Sequence, residues 1–444
     1  MPLHYCRKVN ILKSVFYQTL LIVYAIIYSP ELFMPVKIKK IPGPSPRPAP
    51  PKKIRWLATL ACMVATGILL MRLPGKHVES GMFWWLAIGI PLGAWSIIAF
   101  FRVSVFGLRH LQADAYDTQR EKYILMQVRR GRRALQILSA ECVTAHAFDL
   151  QCAPIAEALL RNVDVLSPQT TRAGDDSVRH SRLPPGGGNT VEAEITAAFT
   201  FLLQKLAVTF SLLPVDNSVE VLLESSSSFP RSRISALWLQ AWQKSGIAQP
   251  AIPLTGHGLR MIDDWLDHRI NEKSLLLVVA LQIAPEAPDM TAEVIVSLLL
   301  GNRLTQKTLT PQAFLHRPEA SASNASALQE GVLQAADWVP LSSANEVAHL
   351  WLSGLAQASD ARSGIISLLG RPPLASITQD VGMHDFNTYL GHPGCTAPWL
   401  AIAAAAQAIC STPGSHMIIS GEQDSEIVWS TAVSPSASRK EINS

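Results

Sequence analysis

Charged residues are scarce in this chain: they make up 16% of its 444 residues, against about 25% in typical soluble domains. Hydrophobic residues make up 48%, which indicates that part of the chain is embedded in a membrane. Cysteine is scarce too. The six cysteines form no CxxC pair, so no disulfide framework is expected and a reducing compartment is favoured.

The chain contains no Walker A, GxGxxG, HExxH or GxSxG motif. These motifs mark P-loop nucleotide sites, dinucleotide sites, zinc peptidases and the serine-hydrolase nucleophile elbow, so the sequence supports none of those classes. The triple glycine at 186–188 lacks a preceding strand and a following Lys-Ser/Thr, and it therefore predicts a loop. We expect no cofactor and no bound metal.

Two apolar segments, residues 54–73 and 83–101, predict a transmembrane helical hairpin over 54–101. At 1.5 Å per residue each segment crosses about 30 Å of hydrocarbon. Neither has the polar face of a helix that packs in a soluble core, although a soluble hydrophobic hairpin is the alternative. Trp56, Trp84 and Trp85 lie near the segment ends, where aromatic side chains favour the membrane–water interface.

The flanks of the hairpin predict its orientation. Seven Lys or Arg residues lie in 37–55 and eight in 102–133, whereas the loop between the segments has one lysine, Lys76. By the positive-inside rule both flanks face the cytoplasm, so we expect a multi-pass protein of the bacterial inner membrane with its main domain inside the cell. A run of four arginines follows the hairpin: Arg129, Arg130, Arg132 and Arg133. It predicts contact with anionic lipid, and binding to a nucleic-acid backbone is the less favoured alternative.

Residues 1–53 leave several alternatives open. The apolar stretch at 11–29 is a candidate third span or a signal-like segment, and translation starting at Met34 would remove it. The Pro- and Lys-rich stretch that follows predicts an extended, solvated linker.

Composition and pattern divide the chain into segments with different predicted roles. In chain order these are the apolar segment and linker (1–53), the hairpin (54–101), a basic juxtamembrane helical region (102–150), a connecting loop region (151–190), two α/β halves (191–318 and 319–435) and a tail (436–444). The alternation of strand and helix predicts a layered α/β domain.

In the first half, the pattern predicts helices at 191–210 and 232–245, and strands at 218–225, 274–283 and 292–302. In the second half it predicts a helix at 344–358, a strand at 364–370, a helix at 398–409 and two strands within 415–435. Residues 103–147 have a helical pattern throughout. Both halves end in strand, connection and strand after a helix, which suggests an internal duplication.

The most specific string is YLGHPGCTAPWLAIAAAA, residues 389–406. It resembles the Gly-His-Pro loop and the following small-residue helix of thiolases, and ketoacyl synthases have a comparable Gly-His segment. The resemblance implies a duplicated thiolase-like fold. It also implies a catalytic role for His392, working with a nucleophilic cysteine at the start of a buried helix in the first half.

That nucleophile is missing. No cysteine lies between residues 153 and 394, and the corresponding region, Leu254–Trp265, offers no replacement. Cys395 lies next to His392 and is the remaining thiol candidate, but a small buried thiol is the simpler interpretation. Condensing or thiolytic chemistry is therefore in doubt.

Two further clusters have simpler interpretations than chemistry. His384, Asp385, His392 and Cys395 are ligand types that suit zinc, but their spacing matches no standard site. Asp263, Asp264, Asp267 and His268 are capable of acid–base work, and a solvated helix face beside Trp265 explains them as well.

We interpret the chain as an inner-membrane-anchored scaffold or adaptor with a catalytically degenerate thiolase-like domain that recruits a protein partner. Its general organisation is similar to accessory components of type VI secretion machines, although no motif carries that similarity. The alternative is a membrane-associated acyltransferase or acyl-thioester enzyme that uses His392 and Cys395. By analogy with thiolase-like folds, a homodimer formed through a sheet edge is an option.

Overall fold

The computed structural model describes residues 41–72, 80–147, 155–172, 177–186, 190–339, 347–356, 359–422 and 425–436. The described residues form two compact units, one within residues 36–129 and a main unit within residues 130–444. The predicted segment at 11–29 and nearly all of the tail lie outside the described residues.

The first unit consists of helices, as the apolar segments predict. Helix α1 is Lys53–Met71, α2 is Ser80–Trp84, and a π-helical turn at Trp85–Gly89 leads into α3, Ile90–Gly131. Pro91 has no N–H to donate to the carbonyl of Ala87, four residues earlier. The Ala87 carbonyl oxygen lies against Gly67 of α1, where a Cβ would be only 2.4 Å from it.

Three described helices are long and apolar enough to cross a membrane: Lys53–Met71, Met82–Gly131 and Val191–Ser211. In the most apolar 18-residue stretch of each helix, 0% of the residues are buried in the first, 6% in the second and 50% in the third. The third helix packs its buried face inside the main unit, so the predicted hairpin consists of the first two.

Helix α3 extends far beyond the apolar segment that ends at Phe101. Arg129 lies 28 residues further along the same helix, about 42 Å at 1.5 Å per residue. The predicted linker contacts this extension, since the Ser45 N–H donates to Asp117 at 2.8 Å and Arg120 donates to the carbonyl of Pro42 at 2.5 Å. The linker is extended, as predicted, but part of it is hydrogen-bonded to α3.

The main unit is built on one large mixed sheet. Its strands are β1 (Ala134–Val143), β4 (Val219–Ser225), β5 (Ala251–Leu254), β6 (Leu275–Gln282), β7 (Val294–Asn302), β8 (Ala313–His316), β9 (Glu319–Ala322), β10 (Val347–Ser353), β11 (Met383–Asp385), β12 (Ser415–Gly421) and β13 (Ile427–Pro435). A separate hairpin pairs β2, Ser167–Thr170, with β3, Ser177–His180, within the predicted loop region.

The order of strands is the same in both halves of the sheet. The first half runs β5-β4-β6-β7-β1 and the second runs β11-β10-β12-β13-β8, and β1 pairs with β8 antiparallel where the halves meet. In the first half β4 pairs parallel with β5 and β6, and β7 pairs antiparallel with β6 and β1. In the second half β10 pairs parallel with β11 and β12, and β13 pairs antiparallel with β12 and β8.

Helices cover the sheet, as expected for a layered α/β domain. They are α4 (Ala156–Leu160), α5 (Val191–Ser211), α6 (Arg231–Lys244), α7 (Arg260–His268), α8 (Ala325–Trp338), α9 (Asp360–Leu368), α10 (Phe386–Tyr389) and α11 (Ala397–Ile409). Trp351 and Ile418 pack in the cluster that contains α11, whereas Leu350 and Ile419 pack with α8 and α9. The second half therefore has helices on both faces.

Three secondary-structure predictions are wrong. The predicted helix at 344–358 contains strand β10, and the predicted strand at 364–370 lies mostly in helix α9. In α9 the buried residues Ala361, Ile365 and Leu368 have helical spacing, and the Ser359 side chain caps the first turn. The helix predicted over 103–147 ends at Gly131, and the mostly apolar residues that follow form strand β1, which is buried along nearly all of its length.

Candidate functional site

The Gly-His-Pro loop lies at the carboxyl ends of the parallel strands β4 and β6. Ser226 directly follows β4, Gln282 ends β6, and a 3₁₀ turn at Gly394–Thr396 leads from the loop into α11. Ligands of open α/β sheets bind outside the carboxyl ends of parallel strands, so this edge is the candidate site.

Two glycines shape the loop because both have positive φ, 102° at Gly391 and 56° at Gly394. A Cβ at Gly391 would lie 2.6 Å from the carbonyl oxygen of Thr291. At Gly394 a Cβ would overlap the side chains of Gln282 and Ser226. Only glycine combines these backbone angles with such close approach.

His392 is held by the backbone around it. Its Nδ1 accepts the Gly394 N–H at 3.1 Å, and its own N–H donates to the carbonyl of Met290 at 2.8 Å. Burial lowers the pKa of the ring, and a backbone contact with Gly354 partly offsets that effect. His392 is therefore neutral at pH 7, and its Nδ1 lone pair is already used.

Cys395 lies three residues further on, but its thiol has other partners. Sγ lies 3.6 Å from the carbonyl oxygen of Leu281, and burial raises the pKa of the thiol to about 12. No hydrogen bond joins Cys395 to His392 in the part of the chain that the structure describes. A reactive cysteine needs a thiolate stabilised by a nearby cation, helix terminus or imidazolium, and Cys395 is instead a protonated, half-buried thiol.

Ser226 and Gln282 fill the space in front of α11. Ser226 Oγ accepts the Cys395 N–H at 3.2 Å and donates to Gln282 Oε1 at 2.6 Å. The Gln282 amide donates to the carbonyls of Ala292 and His392, both at 2.8 Å. A backbone N–H that would be free to bind an anion or oxyanion is thus occupied by a side chain of the protein itself.

Sequence reasoning missed Glu224, a buried carboxyl group beside this loop. It accepts hydrogen bonds from the Trp399 indole and from the Gly258 N–H, both at 2.6 Å. Burial raises the pKa of the Glu224 carboxyl group by more than these two hydrogen bonds lower it. The available signal was a glutamate within the apolar strand pattern of β4, which marks a polar group that needs partners.

The first-half region Leu254–Trp265 connects β5 to α7, and it brings no nucleophile to the loop. Its Gly258 N–H bonds Glu224, and the rest of α7 packs Trp265 into the core, where the indole donates to Asn302 at 2.8 Å.

The acid–base candidates on α7 lie in an ion network. Asp263 and Asp267 both pair with Arg317, and Arg130 donates two hydrogen bonds to Asp267, at 2.8 and 2.6 Å. Burial alone would raise the pKa of Asp267, but the bonds from Arg130 and Arg317 lower it to about 2. Asp267 is therefore a permanently charged structural partner at neutral pH.

The four residues of zinc-ligand type, His384, Asp385, His392 and Cys395, do not form one group. His384 bonds His349 and Asn162, while Asp385 pairs with Arg362 at 2.7 Å. Within the described ranges, no three His, Cys, Asp or Glu side chains are arranged to hold a metal ion.

Two arginines of the basic run are engaged within the main unit. Arg130 and Arg133 both pair with Asp267, whereas Arg132 is exposed. Contact between the run and anionic lipid stays a prediction.

Comparison with known proteins yields structural likeness only, since no family profile and no curated sequence matches the chain. The ishigamide ketosynthase/chain length factor is 12% identical with a TM-score of 0.49, covering 68% of this chain and 99% of its own. The PfaC keto synthase-chain length factor is 12% identical with a TM-score of 0.47, covering 69% of this chain, which spans 43% of that protein. Human mitochondrial 3-ketoacyl-CoA thiolase is 8% identical with a TM-score of 0.43, covering 69% of this chain and 100% of its own.

These structural neighbours are thiolases and ketosynthases. At such identities and TM-scores the likeness carries no argument about activity, which has to be argued from the residues of the site.

Proposed function

We propose that the chain is a membrane-anchored scaffold whose thiolase-like domain, formed by two duplicated halves, has lost catalysis. The duplication is supported by the identical strand order and strand direction of the two halves. The anchor is supported by α1 and the apolar part of α3, whose most apolar 18-residue stretches are almost entirely unburied.

The closed state of the Gly-His-Pro site is the observation that carries the proposal. Ser226 Oγ accepts the Cys395 N–H in the turn before α11, and Gln282 bonds both Ser226 and the carbonyl of His392 in the loop. The thiol of Cys395, with a pKa of about 12, is protonated at neutral pH. A thioester carbonyl entering this site would find neither an attacking thiolate nor a free oxyanion donor.

The proposed client is another protein at the cytoplasmic face of the membrane. An accessory role in a type VI-like secretion machine stays a prediction about the identity of that client. A homodimer is also proposed, through the edge strand β5, because its second edge is unpaired within the described sheet and Ile252 is 46% exposed.

The scaffold proposal is tested by mild crosslinking in intact cells, followed by purification in detergent and identification of the recovered proteins. The matched comparison is a Cys395→Ser, His392→Gln double variant, which removes the catalytic candidates. Recovery of the same stoichiometric partner with both proteins supports the scaffold. Recovery of the protein alone, or only with itself, contradicts it.

An acyl-thioester enzyme is the second candidate, because His392 and Cys395 lie at the sheet edge where α/β proteins bind ligands. For this function Ser226 and Gln282 would have to move away from the loop. Release of free thiol from acetyl-CoA by the purified protein, abolished in Cys395→Ser, would favour the enzyme over the scaffold.

A further inference from the structure

The proline-rich segment of residues 42–51 is a part of the first unit that the proposed function does not use. Six of its ten residues are proline, and each of the other four directly precedes a proline. Proline fixes φ near −65°, and the residue before a proline is confined to extended conformations, so the whole segment is directed to a polyproline II helix. In the structure these residues form neither α-helix nor strand, and Lys52 after them is extended, with φ −69° and ψ 108°.

The segment is stretched along helix α3. The Trp95 indole donates to the carbonyl of Trp56 in α1 at 3.0 Å, and the Ser45 N–H donates to Asp117 at 2.8 Å. Between these two hydrogen bonds α3 rises about 33 Å, at 1.5 Å per residue. The facing chain supplies about 29 Å, from three residues of α1 and eight residues at the polyproline II rise of 3.1 Å. The segment therefore runs at nearly its full length and cannot fold back on itself.

Burial along the segment repeats at every third residue. Ser45, Pro48 and Pro51 are half-buried, whereas the residues between them are exposed. A polyproline II helix has three residues per turn, so these three residues form one inward row. The Ser45 N–H bonds α3, which places the inward row on the side of that helix. The other two rows of the segment face outwards.

The outward rows present proline rings followed by positive charge. Their exposed prolines are Pro44, Pro46 and Pro50, and the exposed cations after them are Lys52, Lys53 and Arg55. Arg47 also lies in an outward row, and its pair with Asp114 at 3.2 Å is a surface pair of the weakly held kind, since the arginine side chain is 61% exposed. No aspartate or glutamate occurs between residues 41 and 55.

We propose that the outward rows of residues 42–53 bind a partner protein through an aromatic-lined groove with an acidic rim. Polyproline II segments are recognised by grooves of this kind, which exploit a helix that is already formed and has little entropy to lose. The acidic rim complements the cations at the carboxyl end of the segment. This inference rests on the proposed scaffold function and names the class of its client.

Contact with α3 prepares the segment for binding. Two hydrogen bonds, from the Ser45 N–H to Asp117 and from Arg120 to the carbonyl of Pro42, hold the segment in its extended form before any partner arrives. A ligand that is held in its bound conformation loses less freedom on binding and therefore binds more tightly. Asp117 lies about 24 Å along α3 beyond Phe101, so this end of the segment extends past the apolar stretch, within reach of a soluble protein.

Anionic lipid is the other class of molecule that the cations would attract. Lipid headgroups account for the lysines but not for two exposed rows of proline held at full length. The observations therefore favour a protein groove, and contact with lipid is an outcome that the experiment distinguishes.

The test is photo-crosslinking from the full-length protein in intact cells. The photoreactive residue p-benzoylphenylalanine replaces Ala49 in an outward row, and the crosslinked peptides are identified by mass spectrometry. We expect one protein partner, joined through a peptide that contains Trp or Tyr. In the matched control the same residue replaces Pro48 in the inward row, where we expect crosslinks to α3 of the same chain.

Two variants show whether the outward prolines carry the binding. The triple variant Pro44→Ser, Pro46→Ser, Pro50→Ser should lower the yield of the partner crosslink from position 49 at least about tenfold. Pro48→Ser, which changes only the inward row, should lower that yield by less than about threefold. Circular dichroism of the purified variants checks that the helices are unchanged.

The outcomes separate this inference from the proposed function. Crosslinks from position 49 only to lipid or to the same chain, a partner peptide without aromatic residues, or an unchanged yield in the triple variant would each overturn the inference. If mild crosslinking still recovers a stoichiometric partner in that case, the scaffold stands and its client binds elsewhere. If no protein partner is recovered by either method, the scaffold and the polyproline contact both fail.

Discussion

Asp267 is the central anion of an ion network within the main unit. Its carboxylate pairs with Arg130, Arg133 and Arg317, and the Arg317 side chain is only 2% exposed. In Asp267→Asn, Arg317 keeps Asp263 as its sole ion partner in the described network. A buried charge that loses a partner is costly, so we expect a large loss of stability.

The magnitude follows from two independent routes. Breaking a buried pair costs about 3–5 kcal/mol. The pKa of Asp267, lowered from 3.8 to about 2, corresponds to roughly 2.5 kcal/mol. We therefore expect Asp267→Asn to reduce the free energy of unfolding by about 3 kcal/mol.

The assay is urea unfolding of the detergent-solubilised protein at pH 7, followed by tryptophan fluorescence. Asp264→Asn is the matched control, because Asp264 lies on the same helix and its side chain forms no ion pair among the described residues. The control should change stability by no more than about 0.5 kcal/mol. Equal effects of the two substitutions would refute the assignment of Asp267 as a buried structural anion.

The same substitution has a pH signature. Because the folded-state pKa of Asp267 is lowered, its contribution is fully present above the unfolded value near 3.8 and is lost as pH falls towards 2. The unchanged protein should therefore lose more stability than Asp267→Asn between pH 4 and pH 2. Parallel pH profiles for the two proteins would contradict the lowered pKa.

Three further substitutions and reactions test other parts of the structure. Gly394→Ala should lower the free energy of unfolding by about 3 kcal/mol, because an unfavourable φ adds to the overlap of the new Cβ with Ser226 and Gln282. The control Gly246→Ala, with a similar φ but open space around the Cβ, should lower it by about 1 kcal/mol in the same unfolding assay. Glu293→Gln should lower the free energy of unfolding by about 3–5 kcal/mol, because its partner Arg172 is only 5% exposed. Glu157→Gln, which breaks an exposed pair, should lower it by less than about 1 kcal/mol. Equal losses in the two variants would contradict the burial of the Glu293–Arg172 pair. Iodoacetamide at pH 8 should modify exposed Cys410 before Cys395, whose pKa of about 12 leaves roughly 1 thiolate in 10,000; peptide mass mapping showing the reverse order would contradict that pKa.

Helices and strands with long, uniform patterns were predictable from sequence. The buried strands β6 and β7 are continuous apolar runs, and their predicted limits agree with the structure within a few residues. Helix and strand were exchanged in the prediction for 344–370, and this has a physical reason. Strand β10 mixes His349 and Trp351 with aliphatic residues, and helix α9 has an apolar pattern because many of its residues are small and buried. Short apolar runs of this kind do not distinguish strand from helix.

The candidate site was predictable only in part. His392 was found because its Gly-His-Pro loop resembles that of thiolases, and Cys395 because it lies close to His392 in the sequence, but this closeness did not make the two residues partners. The residues that decide the chemistry, Ser226 and Gln282, are 56 positions apart and meet only because β4 and β6 are parallel neighbours. Such non-local contacts leave no local pattern in the sequence.

The central proposal, that the main unit is not catalytic, is tested most directly by measuring whether the protein forms an acyl adduct. The purified full-length protein and its Cys395→Ser variant are incubated with acetyl-CoA at pH 7.5, and the intact masses are measured. We predict no acetyl adduct on Cys395 and no difference between the two proteins, because the thiol is protonated and its surroundings are closed. A stoichiometric acetyl adduct that disappears in Cys395→Ser would contradict the account and establish an acyl-enzyme.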